Sequence, residues 1–110
     1  MEKNISKIEI KVELDNNKVP EKIKWTASDG NINNQETKAT FLSVWDSKNK
    51  ESLRIDLWTK DMPLNDMFIF YHQTLITMAK NLEKATDNQK VSTALVNFAE
   101  KFAKLSNILK

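Results

Sequence analysis

The chain has 110 residues, 17 basic and 15 acidic side chains, a net charge of +2 and no cysteine. That length suits a single domain over 1–110 whose folding hides roughly two-thirds of the unfolded chain's surface. Disulfides, thiolate zinc sites and cysteine nucleophiles are excluded by composition. No stretch approaches the ~20 consecutive apolar residues of a membrane helix. The opening residues carry no apolar segment of a secretory signal, so cytoplasmic residence is expected. Charge is spread rather than gathered: Lys7, Glu9, Lys11 and Glu13 alternate in sign along one strand face. Nucleic-acid modules instead collect basic side chains on one surface, so no nucleic-acid partner is expected.

Lys7 to Leu14 reads KIEIKVEL. Ile8, Ile10, Val12 and Leu14 fall on one side and the charges on the other, the period of a half-buried strand. Asp15 to Lys18 supplies turn residues that tolerate left-handed backbone. Pro20 suits a strand start, and KIKWTA then resumes alternation with Ile23, Trp25 and Ala27 inward. Ser28-Asp29-Gly30 and the asparagines after it end that strand, so the first two strands predict an antiparallel hairpin.

Gln35 to Asp46 reads two ways. Phe41, Leu42, Val44 and Trp45 suit a strand covered on both faces. The same residues suit a short helix, with Asn33 and Glu36 as a capping pair. The strand is favoured because a polar turn over Ser47 to Lys50 would join it to SLRIDLW. In SLRIDLW, Leu53, Ile55 and Leu57 share one face, while Arg54, Asp56 and Trp58 share the other. Pro63 breaks the ladder, Asn65 is the expected cap of a helix, and Asp66 complements its dipole. Met67, Phe68, Tyr71, Leu75, Met78, Ala79 and Leu82 make an apolar arc on that helix. Thr86 to Gln89 reads as a capping box opening a second helix, on which Val91, Leu95, Phe98, Phe102, Leu105 and Leu109 recur in steps of four and three. The expected fold is α+β: a four-stranded antiparallel sheet, its third element strand or helix, with a C-terminal two-helix hairpin packed on one face. Residues 1–60 are mostly strands and 65–110 the helical hairpin.

Few residues suggest catalysis. His72 is the single histidine and suits a boundary position under a neighbouring element. Without cysteine or a second histidine, a zinc site would need several carboxylates at a spacing the chain lacks. Asp56, Asp61 and Asp66 recur every five residues but fall on a strand, a break and a helix start. One glycine leaves no phosphate-cradling loop and no serine elbow. No catalytic residue, metal or cofactor is expected. The aromatics are more informative. If Leu42 and Val44 face the helices, Phe41, Trp45 and Trp58 join Arg54 on the outer side of the sheet, the composition of a protein-binding hot spot.

The segments WTASD (Trp25 to Asp29) and LSVWDSKNKESLRIDLWTKDMPLNDMFIFYHQTL (Leu42 to Leu75) resemble the gliding-motility protein GldC family of Bacteroidetes. The resemblance runs from the first strand to about Ala85, with Asn65 where the family leads one to expect an acidic residue. It implies a biological process rather than a reaction. By that resemblance the chain is a small cytoplasmic accessory of gliding motility, whose machinery overlaps with type IX secretion, with no active-site residues to carry over. The expected role is a noncatalytic adaptor that binds proteins of that machinery through Phe41, Trp45, Arg54 and Trp58, with a homodimer through the sheet face as a further arrangement. The alternative is a small-molecule binder or weak enzyme with a pocket between helix and sheet near His72 and Trp58.

Overall fold

A computed structural model describes residues 4–108. Five strands come first: β1 (Ile8–Leu14), β2 (Pro20–Ala27), β3 (Ile32–Thr37), β4 (Ala39–Asp46) and β5 (Glu51–Trp58), with a 3-10 turn over Ser28–Gly30 between β2 and β3. Two helices follow, α1 (Leu64–Thr86) and α2 (Gln89–Leu105). The chain divides into two compact units, Met1–Met62 and Pro63–Lys110, at the proline that ends the strand region.

The expected α+β class holds, but the four-stranded sheet does not. The strands form two antiparallel sheets, β1-β2-β3 and β4-β5. The segment read as strand or helix is strand, and it belongs to both sheets, because a bend at Lys38 separates β3 from β4. Of β3, Asn33 and Asn34 were expected to end the preceding strand, and Gln35 to Thr37 lay in the segment read as strand or helix. The sequence of β3, INNQET, is poor in strand formers and largely exposed. It is a strand because β2 offers a complete edge, pairing Ile23 with Thr37, Lys24 with Glu36 and Trp25 with Gln35. A partner edge outweighs weak intrinsic preference.

β1 and β2 pair as expected, with Ile10 opposite Trp25 and Val12 opposite Ile23. At the turn, the Asp15 carboxylate accepts from the backbone N–H of Asn17 and Val19, at 2.8 and 2.9 Å. Lys18 takes a left-handed φ of 63° there. Burial along the apolar row is uneven. Ile23 is fully buried, Ile10 and Val12 are half-buried, and Ile8 and Leu14 at the strand ends are exposed.

In the helical unit, two of the expected caps are corrected. Helix α1 begins directly after Pro63 in extended backbone, and Asn65 lies inside its first turn without capping it. Proline fixes the entry angle and lacks an N–H to satisfy, so an earlier start costs little. Asp66 does sit in the first turn. The cap of α2 is Asn88, whose side chain accepts from Val91 N–H at 3.3 Å. Thr86 instead belongs to the end of α1, donating its hydroxyl to Leu82 C=O at 2.8 Å. Asp87, left-handed with φ 56°, closes α1, so two residues suffice to reverse the chain.

The four-three stripe on α2 is the larger correction. Ser92, Ala99 and Ala103 are the buried residues of α2, whereas Val91, Phe98 and Leu105 are exposed; Leu109 lies outside the described residues. Small side chains let the helix backbones approach. Ser92 Oγ donates to Ala79 C=O across the pair at 3.2 Å, and Ala79 is itself fully buried. Toward the other end Phe102 meets Phe68 edge-on at 6.2 Å and stacks with Tyr71 at 5.9 Å. Of the described stripe residues, Phe102 serves the seam and Leu95 is half-buried, while Val91, Phe98 and Leu105 are exposed.

Candidate functional site

β4 and β5 form a hairpin of two eight-residue strands whose register runs without a shift from Ala39 opposite Trp58 to Asp46 opposite Glu51. Its tight end is built by Asp46. The Asp46 carboxylate accepts from the backbone N–H of Lys48 and Asn49 at 3.0 and 3.3 Å and from the Asn49 amide at 2.9 Å. These donors, the Asn49 backbone first, hold the carboxyl below its usual value. Lys50 completes the turn with φ 57°.

At the open end, the strand exit is tied to the rest of its unit. Thr59 N–H donates to Lys38 C=O at 2.8 Å and Lys60 N–H donates to Pro20 C=O at 3.2 Å. Two lysines make ion pairs that flank these bonds. Lys38 Nζ meets Asp61 at 2.6 Å, and Lys60 Nζ meets both Asp15 and, at 3.5 Å, Glu21. Buried Thr59 donates its hydroxyl to Asp61 at 2.7 Å. Lys60 is the main cause of the lowered Asp15 pKa, and Lys38, followed by Thr59, of the lowered Asp61 pKa; the two lysines are raised in return.

Because side chains alternate across a strand, the register sorts the hairpin into two faces. One carries Leu42, Val44, Leu53, Ile55 and Leu57. With Ile8, Ile10 and Val12 of β1, Leu42, Ile55 and Leu57 line an apolar groove of about 390 Å³. The other carries Phe41 and Trp45 on β4 with Arg54, Asp56 and Trp58 on β5. Phe41 lies opposite Asp56, Trp45 opposite Ser52, and Trp58 opposite Ala39. All four residues singled out from the sequence thus share one face. Trp45 is 58% exposed and Trp58 49%, whereas Phe41 is half-buried. Asp56, placed on this face by the alternation but not counted among the binding residues, lies two residues from Arg54. Its carboxylate accepts from Arg54 Nη2 at 3.0 Å and Nε at 3.3 Å. Exposed pairs of this kind add little stability; this one directs the guanidinium along β5 toward Asp56.

His72 lies in the helical unit, half-buried, with Nε2 3.7 Å from Glu100 of α2. It is a boundary residue beneath the second helix, one of the two placements expected of it. Among the described residues, no group of three or more His, Asp or Glu side chains is arranged to hold a metal ion, and no helix is long and apolar enough to cross a membrane.

No curated protein matches the chain. No solved structure matches it either. The sequence profile described as gliding motility-associated protein GldC-like matches residues 20–108, a span that starts at β2 and runs past Ala85 to take in the final helix. Covered over most of its length by that profile, the chain belongs to the gliding motility-associated GldC-like family.

Proposed function

We propose that the chain is a non-catalytic cytoplasmic adaptor of the gliding motility apparatus, docking a protein partner on the aromatic face of the β4-β5 hairpin. The observation that carries this reading is that Phe41, Trp45, Arg54 and Trp58 lie along a single face of the hairpin, with both tryptophans about half exposed. Tryptophan, tyrosine and arginine dominate binding energy in protein interfaces, because a large rigid ring loses little entropy when it is covered. Family membership supplies the process; the hairpin supplies the surface.

Covering the two indoles would remove roughly 200 Å² of apolar surface, about 5 kcal/mol before the cost of association. The test is capture of motility proteins from native cytoplasm by the wild type and by a Trp45→Ala/Trp58→Ala variant whose far-UV spectrum matches it. The adaptor reading expects named motility components to be lost from the variant's capture. Equal recovery of the same components by both proteins would defeat it.

A further inference from the structure

The β4-β5 sheet has only two strands, and a two-stranded hairpin is marginal alone because it presents two open edges. The direction of the backbone groups on β5 follows from the bonds at its end. Thr59 N–H points to β4 and Lys60 N–H points the other way, to Pro20. Counting back by twos, Trp58, Asp56, Arg54 and Ser52 direct their N–H and C=O groups to the outer edge. Among the described residues, no strand pairs with that edge. It carries no proline and no bulge, the devices that usually blunt an edge.

The sequence along this edge is complementary to itself. Leu53-Arg54-Ile55-Asp56-Leu57 reads apolar, plus, apolar, minus, apolar. We infer that a second copy of this chain adds its β5 to this edge, antiparallel, about a two-fold axis through Ile55. In that register Ile55 meets its own counterpart and Leu53 meets Leu57 of the other copy on one face. On the opposite face Arg54 meets Asp56 of the other copy, twice by symmetry. Opposite charges directly across an antiparallel pair are favourable, whereas like charges there are unfavourable. The Arg54 and Asp56 positions are also those whose backbone groups point outward, so they exchange both backbone hydrogen bonds. Ile55 falls at a non-bonded position, where side chains approach most closely. β4 has no such pattern, since Asp46 is its one charged residue. The product is a four-stranded sheet, β4-β5-β5-β4, with Leu42, Val44, Leu53 and Ile55 of both copies on one continuous apolar face and both aromatic rows on the other. Near the end of β5 Lys60 N–H is already taken by Pro20, which limits the pairing to the centre of the strand. This assembly goes beyond the adaptor reading and stands without it.

The absence of cysteine gives a direct trap. Ile55→Cys places the only thiol on the two-fold axis, where the close approach of a non-bonded pair matches disulfide geometry. Val44→Cys, equally exposed on the same face of β4, has no symmetric mate. Under mild oxidation, Ile55→Cys is expected to cross-link into covalent dimer in near-complete yield and Val44→Cys only slightly. By light scattering the wild type should have twice the 12.7 kDa chain mass. Arg54→Asp should return it to the single-chain mass, and Arg54→Asp/Asp56→Arg should restore the dimer. A wild type of single-chain mass at its highest soluble concentration would overturn the proposal. So would a dimer indifferent to Arg54→Asp, or equal cross-linking of the two cysteine variants. If Arg54→Asp does not fold by circular dichroism, the comparison of the two cysteine variants decides alone.

Discussion

Among the described residues, Ile23 is the one large side chain of the strand unit that is fully buried, while Ile8, on the same inward face of the same hairpin, is 71% exposed. Alternation alone makes the two equivalent; packing does not. Truncating a fully buried isoleucine to alanine costs about 2–5 kcal/mol, the transfer term plus that of the cavity left behind. Ile8 hides only a small part of its side chain, roughly 40 Å², so Ile8→Ala should cost about 1 kcal/mol or less. For a unit of this size, total stability is on the order of 3–9 kcal/mol, so Ile23→Ala removes a large share of it. The assay is urea unfolding followed by tryptophan fluorescence and far-UV circular dichroism. With a slope of about 1 kcal/mol per molar urea, Ile23→Ala should lower the midpoint by about 2 M or more and Ile8→Ala by under about 1 M. Equal shifts would mean that the β1-β2 face is buried along its whole length, contrary to the account given above.

Three further outcomes are expected. Ala99→Leu should overfill the α1-α2 seam and cost about 1–3 kcal/mol in a thermal melt, whereas Phe98→Ala, next to it but 54% exposed, should cost well below the ~3–5 kcal/mol of a buried phenylalanine. Asn88→Ala should cost about 1 kcal/mol through the lost cap, while Asn65→Ala leaves the same melt nearly unchanged. Stability of the strand unit should also depend on pH through its exit ion pairs. Asp15 and Asp61 are lowered when folded, so their contribution is present above their unfolded value of 3.8 and is lost as pH falls below it. Lys38 and Lys60 are raised, so theirs is present below 10.5 and is lost above it as pH climbs through the folded values. In a pH series of urea midpoints, Lys60→Met should flatten both shoulders.

Much of the fold was legible because its signals are local. The period-two pattern of β1, the polar turn at Ser47 to Lys50 and the break at Pro63 each fix their own neighbourhood, and all three lie where the sequence puts them. What was not legible depends on partners distant in the chain. Asparagines at 33 and 34 argue against a strand, and only the free edge of β2 makes one of β3. The α2 stripe was misjudged because leucine and phenylalanine dominate a hydrophobic pattern. The seam uses Ser92, Ala99 and Ala103, whose value lies in being small. Two of the caps shifted: Pro63 starts α1 through its fixed backbone angle without a side-chain bond, and Asn88 caps α2 in place of Thr86. At the candidate surface, alternation placed Phe41, Trp45, Arg54 and Trp58 together once Leu42 and Val44 were set on the other face, and the register agrees. Asp56, and with it the self-complementary run from Leu53 to Leu57, was in plain view. Asp56 was placed on its face but not paired with Arg54, because the carboxylates were weighed for catalysis and the aromatics for binding.

The most direct measurement is colony spreading by gliding cells in which the native copy carries Trp45→Ala/Trp58→Ala. The adaptor account predicts loss of spreading while immunoblots show the variant at wild-type abundance. Undiminished spreading at that abundance would contradict it.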